Sequence, residues 1–255
     1  MKKLLLFDVD GTLVESGQNI SEHMATLLTC LQVNGYELGI VGGGKLEKIL
    51  EQFNKKICFT HYYTECGCVY HKNISPKNSL NLTEVYKKNI RNHPQYENIN
   101  NLIKLAMNFI SMVDYTISGH FIDLRNGIIY ISLIGLSATQ RERQYFLDID
   151  KEYKYREKLF NLLTDTATKM SKKNNNNISI VYGGSVGIAI YPEEYDKVQI
   201  MESIDISNYS TIYYFGDKYL EDGNDYKLLN HEYIISRRID NIEQTEQLLK
   251  NMLVI

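Results

Sequence analysis

The chain has no tryptophan, 3 prolines and 4 cysteines in 255 residues, and no excess of either charge. Each scarcity closes a class. Cys30, Cys58, Cys66 and Cys68 contain no CxxC pair, so they read as reduced thiols rather than disulfides or a zinc site. Lys+Arg 28 against Asp+Glu 31 leaves a formal net charge of −3, which argues against nucleic acid or a membrane surface as partner. No apolar run approaches the roughly 20 residues of a bilayer span. Met1-Lys2-Lys3 passes through Leu4-Leu5-Leu6-Phe7 straight into Asp8, too short for a signal-peptide core and lacking a small-residue cleavage site. A cytoplasmic protein is therefore expected. His23, His61, His71, His93, His120 and His231 show no metal-ligand spacing. The 20 tyrosines accompany many Lys, Asn and Ile, all residues with AT-rich codons, so they read as compositional bias and not as aromatic recognition.

What is present suffices for a sizeable core, in one large domain or two small ones. The run Lys3–Val9 is continuously apolar up to Asp8, as in a strand buried on both faces. Ser21 reads as the N-cap of a helix carrying Met24, Leu27, Leu28 and Leu31 on one face, with Gly35 as its stop. A second strand, Glu37–Val41, enters Gly42-Gly43-Gly44 and a helix from Leu46 to Phe53. This β-α-β-α order predicts a parallel sheet covered by helices. From about Thr83 to Met112 the pattern predicts helix, followed by two β-rich runs joined by Asn126-Gly127, a strong hairpin signal. A charged helix over about Thr139–Lys172 and a strand at Ile178–Tyr182 complete an antiparallel α+β insertion. After Pro192 come a helix, the strand Thr211–Phe215, a Gly/Asp loop, a short strand near Tyr233–Ile235 and a last helix from Asn241.

Four segments of this framework carry chemistry, and parallel strands tend to gather such segments at their carboxyl ends. Asp8-Val9-Asp10-Gly11-Thr12 puts two carboxylates two residues apart just off a strand. That suits a nucleophile with a general acid/base, one attacking phosphorus and the other handling a proton; the plain alternative is an Asp-Gly turn that caps backbone N–H groups. Asp217, with Asn224 and Asp225 behind it in Phe215-Gly-Asp-Lys218 and Asp222-Gly-Asn-Asp225, offers the oxygen ligands a hard cation such as Mg²⁺ prefers. Lys197 stands near a helix start, where it would neutralise phosphate and nucleophile if the other segments surround it. Gly39–Lys45 imitates GxxxxGK[ST], but Leu46 follows in place of the hydroxyl residue, so no nucleotide loop is expected. Glycines donating backbone N–H groups to phosphate at a helix start remain expected there.

The order DVDGT, strand and glycine loop, helical lysine, then GDK…GND, with the insertion between second and third, resembles the haloacid-dehalogenase-type phosphotransferases. Leu6–Leu13, Val41–Gly43, Phe121–Gly127, Ile134-Gly135, Gln140–Phe146, Gly183-Gly184 and Phe215–Asp225 extend the resemblance to the eukaryotic-type phosphomannomutases over nearly the whole chain. The resemblance implies an α/β fold, a Rossmann-like core with a parallel sheet over residues 1–83 and 191–255. It further implies an inserted cap with an antiparallel sheet over 84–190, serving substrate specificity and homodimerisation. It implies interconversion of mannose 6-phosphate and mannose 1-phosphate for GDP-mannose synthesis, with Mg²⁺ and a hexose 1,6-bisphosphate intermediate. Carried over, Asp8 is the phosphorylated nucleophile and Asp10 the acid/base. Lys197, Gly43 and Gly44 attend the transferring phosphate, while Arg125 and Arg143 hold the distal one. Asp8, Asp10, Asp217, Asn224 and Asp225 are the implied metal site.

The chain departs from the family pattern at Gly17 and Leu136 (arginine in the pattern), Gly187 and Ala189 (a serine and an aspartate that contact the sugar) and Gly44 (the core serine). Two missing charge-assisted contacts would weaken a bisphosphate complex by a factor on the order of 10² or more. A Mg²⁺-dependent sugar-phosphate phosphatase, or a catalytically weakened relative acting through its cap dimer, is the alternative expectation.

Overall fold

In the computed structural model the apolar run becomes β1 (Lys2–Phe7), an interior strand of a seven-stranded sheet. The structure describes residues 2–75, 80–174, 177–221 and 223–253; Asp222 of the acidic loop lies outside them. The sheet order is β11 (Ile234–Arg238), β10 (Tyr209–Gly216), β1, β2 (Tyr36–Val41), β3 (His61–Thr64), β4 (Val69–Asn73) and β5 (Leu82–Lys87). The first five pair in parallel and the last two antiparallel. Continuous apolarity in β1 follows from burial on both faces. Leu5 and Phe7 pack with Met24, Leu28 and Leu31 of α1 (Glu22–Val33), with Ile49 and Phe53 of α2 (Leu46–Phe53) and with Leu249 of α7 (Ile242–Leu253). Leu4 and Leu6 pack with Ile200, Met201, Leu228 and Leu229 on the other side. Ser21 caps α1 by accepting from Met24 N at 3.0 Å, and Gly35 takes φ +86 just beyond its end.

The chain leaves β1 toward β2 on one side and later returns to β10 on the other. The carboxyl end of β1 is therefore the point where strand order reverses, the usual ligand crevice of open α/β sheets.

Two compact units result, Met1–Lys88 with Tyr195–Ile255, and Asn89–Glu194. The second has an antiparallel sheet in the order β6 (Ile122–Leu124), β7 (Ile129–Ser132), β9 (Gly187–Pro192), β8 (Ile178–Gly183). Its α5 (Tyr155–Asn174) packs on β8 and β9, and α3 (Tyr96–Ile110) packs on α5. Asn126-Gly127 does join an antiparallel pair, β6 and β7.

Three expectations are corrected. Residues 82–87 form β5, not helix: Thr83, Val85 and Tyr86 suit a strand, and pairing with β4 decides the matter, so a single 3-10 turn at Ile90–Asn92 follows and the α-helix starts at Tyr96, after Pro94. The charged helix is two, α4 (Gln140–Tyr153) and α5, because Lys154 adopts a left-handed conformation at φ 56. The turn bearing Lys197 is 3-10 over Lys197–Ser203, and α6 (Tyr226–Leu229) is a single turn.

At the amino ends of the strands Glu37 accepts from Tyr209 Oη at 2.6 Å and Lys2 Nζ at 2.8 Å, and pairs with His61 Nε2 at 2.7 Å. The hydrogen bond from His61 holds the Glu37 carboxyl well below its ordinary value of 4.5, against the opposing effect of burial and with help from Lys2 and Tyr209. A depressed carboxyl contributes stability above its unfolded pKa and loses it as pH falls. Glu37→Gln should therefore cost about 2 kcal/mol at pH 7. In thermal melts the gap from wild type should close as the pH drops below about 4.

Candidate active site

Asp8 follows β1 directly, its N–H donating to Phe215 O at 2.9 Å, so two neighbouring parallel strands fix its backbone. Gly11, at φ +89, turns the chain so closely past β10 that a Cβ there would lie 2.5 Å from Asp217 Oδ2. Gly216 is equally constrained, since a Cβ would lie 2.7 Å from the Asp225 carboxyl. The glycines of both motifs thus let two acidic loops meet.

Lys197 is fully buried between them. Its Nζ pairs with Asp8 Oδ1, with Asp225 Oδ1 at 2.6 Å and with Tyr214 Oη at 3.3 Å. Asp196 secures the turn that carries it, accepting from Val198 N at 2.9 Å and pairing with Lys227 at 2.9 Å. Burial works against the lysine's charge, but Asp225 and Asp8 outweigh it and hold the ammonium well above its ordinary pKa. Burial pushes the Asp8 carboxyl up to about 7; Lys197 opposes this, and Asp225 and Asp217 reinforce it. Lys197 is therefore the charge that keeps an anionic Asp8 affordable in a dry site.

Asp8, Asp217 and Asp225 each offer an oxygen within 4.8 Å of the others, the only such cluster of three metal-ligating side chains among the described residues. The buried oxygens Asp217 Oδ1 and Asn224 Oδ1 have no hydrogen-bond partner among the described residues. Orphaned, converging oxygens of this kind fit a hard divalent cation. Two of the expected ligands behave differently. Asp225 already spends Oδ1 on Lys197 and Tyr214 and Oδ2 on Lys218 N at 2.9 Å, which makes it chiefly the lysine's anchor. The Asp10 carboxylate stands outside the cluster: its Oδ1 accepts from Gln52 Nε2 at 2.9 Å and from Gly17 N at 3.3 Å, and Lys48 Nζ lies 3.9 Å from Oδ2. That placement leaves it available for proton transfer.

The glycine loop is stitched to a left-handed turn, with Cys66 N donating to Gly42 O at 2.9 Å and Glu65 N to Gly44 O at 3.1 Å. Glu65, Cys66 and Gly67 all have positive φ, so Cys66 and Cys68 are buried members of that turn. A Cβ at Gly44 would meet only Ile49 and Lys48 side-chain atoms at ordinary contact distances, so nothing in the packing demands glycine there.

Arg125 and Arg143 lie in the second unit. Arg125 Nε donates to Asp123 Oδ2 at 2.8 Å, and its guanidinium sits 5.2 Å from the Tyr130 ring centre. Arg143 donates to Ala138 O at 3.1 Å and Leu136 O at 3.0 Å. Sequence reasoning missed Gln52 and Tyr214. Gln52 announced itself as a polar residue beside Ile49 and Phe53 on the buried face of α2, whereas Tyr214 had no signal among so many tyrosines.

A buried aspartate off an interior parallel strand is paired with a buried lysine and faces a second acidic loop, on an α/β core of the haloacid-dehalogenase type. Solved structures share that fold. An IMP-bound Plasmodium falciparum IMP-nucleotidase superposes with TM-score 0.66 at 14% identity, covering 100% of this chain and 68% of that one. An Aspergillus fumigatus trehalose-6-phosphate phosphatase gives 0.54 at 12%, covering 100% and 93%. The family model for eukaryotic phosphomannomutase matches residues 24–255. Phosphomannomutase 1 of Dictyostelium discoideum is 33% identical over 230 residues, 89% of this chain and 86% of that protein. Phosphomannomutase 1 of Homo sapiens is 31% identical over 252 residues, 96% and 89%. The chain belongs to the eukaryotic phosphomannomutase family.

Proposed function

We propose that the chain interconverts mannose 6-phosphate and mannose 1-phosphate through a phospho-aspartate at Asp8 and a hexose 1,6-bisphosphate, supplying mannose 1-phosphate for GDP-mannose synthesis. The observation that carries this reading is the buried Asp8–Lys197–Asp225 row beside the Asp217 and Asn224 oxygens that have no partner among the described residues. Bisphosphate charges the enzyme: an Asp8 oxygen bonds to phosphorus as the phosphorus–sugar oxygen bond breaks, and Asp10 protonates the departing sugar oxygen. A sugar monophosphate then attacks phospho-Asp8 with its free hydroxyl, Asp10 takes that proton, and the Asp8–phosphorus bond breaks to re-form bisphosphate. Lys197 neutralises nucleophile and phosphate throughout, while Gly43 and Gly44 attend the phosphoryl oxygens and Arg125 and Arg143 serve the distal phosphate. Asp8, Asp217 and Asn224, with Asp225 behind them, would hold Mg²⁺, which when bound offsets negative charge on the transferring phosphoryl group. The family resemblance supports a cytoplasmic homodimer formed through the second unit.

Hydrolysis is the competing outcome, and a specific observation favours it: Arg125 is already engaged by Asp123 and Tyr130. Weak retention of bisphosphate would let water discharge phospho-Asp8. Purified protein with Mg²⁺ and mannose 1-phosphate, assayed with and without glucose 1,6-bisphosphate, separates the two. Isomerisation that requires bisphosphate is expected, and release of free phosphate alone would make it a phosphatase. Neither activity, with Asp8→Asn indistinguishable from wild type, would end both readings.

A further inference from the structure

The second unit's sheet has one face toward helix. Ile129, Ile131, Ile188 and Ile190 are fully buried, and Tyr182, which pairs with Ile188, stacks on Phe160 of α5 at 4.4 Å. Alternation along the strands puts Tyr130 and its cross-strand partner Ala189 on the other face. There the Tyr130 ring lies against two glycines that pair with each other, Gly183 and Gly187. A Cβ at Gly187 would sit 2.3 Å from Tyr130 Cζ and Oη and 2.7 Å from the Ile131 carbonyl oxygen, and one at Gly183 would sit 2.6 Å from Tyr130 Cε2. All of these contacts lie inside van der Waals distance.

The arrangement is tied down from three sides. Tyr130 Oη donates to Gly183 O at 2.9 Å. The Arg125 guanidinium stands over the ring while paired with Asp123. Arg156 holds the turn that carries the glycines, donating to the carbonyls of Gly184 at 2.7 Å, Ser185 at 3.1 Å and Gly187 at 3.2 Å. A side chain at 187 is excluded twice, by the Tyr130 ring and by the Ile131 backbone carbonyl, whereas residue 189, directly opposite the ring, contributes only a methyl group.

We propose that Tyr130 is a specificity-determining residue that sets how tightly this chain holds hexose 1,6-bisphosphate. The inference rests on the sugar-phosphate reading above. Tyr130 covers the patch of sheet from which residues 187 and 189 would otherwise reach sugar hydroxyls, and it replaces their hydrogen-bonding groups with an aromatic ring. Ala189 then stands opposite a ring that fills its face of the sheet, while Gly187 answers to the Ile131 carbonyl as well as to the ring. A polar side chain restored at 189 does not tighten binding unless the ring is removed as well.

The test is a cycle of variants read by thermal melting and by calorimetric titration with glucose 1,6-bisphosphate. Gly187→Ser alone is expected to lower the Tm and leave affinity no better than wild type. Tyr130→Ala with Ala189→Asp is expected to tighten binding about tenfold or more, the yield of one or two regained hydrogen bonds. Tyr130→Phe keeps the ring without its bond to Gly183 O and should bind like wild type, which separates ring volume from the hydroxyl. Equal gain in affinity from Ala189→Asp with or without the ring would overturn the inference. So would wild-type binding that the Tyr130→Ala, Ala189→Asp double variant leaves unchanged. Absence of bisphosphate binding in every variant would overturn it together with the sugar-phosphate reading, so the two failures are distinguishable.

Discussion

Asp8→Asn is expected to abolish turnover while leaving the metal-free fold more stable than wild type at neutral pH. Asparagine keeps the shape of the side chain but has no anionic oxygen to bond to phosphorus. Loss of a covalent nucleophile costs on the order of 10⁴–10⁶ in rate. The stability effect runs the other way because burial lifts the Asp8 carboxyl from 3.8 to about 7. An acid whose folded pKa is raised makes the folded state bind more protons, so stability falls as pH rises from about 4 to about 7. A neutral amide escapes that cost, and Lys197 keeps Asp225 as its partner. Melting curves without metal should coincide near pH 4 and separate by about 1–3 kcal/mol at pH 8. Retained turnover would remove Asp8 from the nucleophile's role. Parallel melting curves would mean that its carboxylate is not held at a cost.

Residues whose roles are local were legible in the sequence. The apolar run of β1, the Ser21 cap, the Gly11 turn and the paired acidic motifs each follow from a few neighbouring side chains, and the structure puts Asp8, Lys197, Asp217 and Asp225 in one place. Roles set by distant partners were not legible. Residues 82–87 carry a pattern compatible with either helix or strand until β4 supplies a ladder. Asp225 has the right chemistry for a metal ligand, yet its oxygens go to a lysine 28 positions earlier in the chain and to Tyr214. The tyrosines show the limit most clearly. A compositional bias hides individual meaning, so Tyr214, a partner of the buried lysine, and Tyr130, whose ring lies against Gly183 and Gly187, look no different from Tyr153 on the surface.

Lys197→Met is expected to be the most damaging single change in the first unit. Methionine fills much of the same volume, so the loss is one of charge rather than packing. It leaves Asp8 and Asp225 buried without the ammonium that both carboxylates share, with Asp217 in the same cluster. Breaking a buried pair by removing one partner costs about 3–5 kcal/mol, because the remaining charge cannot regain its hydration. Turnover should fall with stability, since Lys197 is the cation paired directly with the nucleophile, whereas Lys218 pairs with Asp217. Two further measurements separate this account from simple unfolding. Adding Asp225→Asn removes one orphaned carboxylate, so the double variant should melt higher than Lys197→Met alone, a non-additivity expected of residues that touch or share one charge network. Millimolar Mg²⁺ should also raise the Tm of Lys197→Met more than that of wild type, because a cation among Asp8, Asp217 and Asn224 then relieves a charge excess the lysine had been balancing. If Asp225→Asn lowers the Tm further instead, the carboxylate is stabilised by Tyr214 and Lys218 N without the lysine, and Lys197 belongs to catalysis rather than to the balance of charge that lets the site fold.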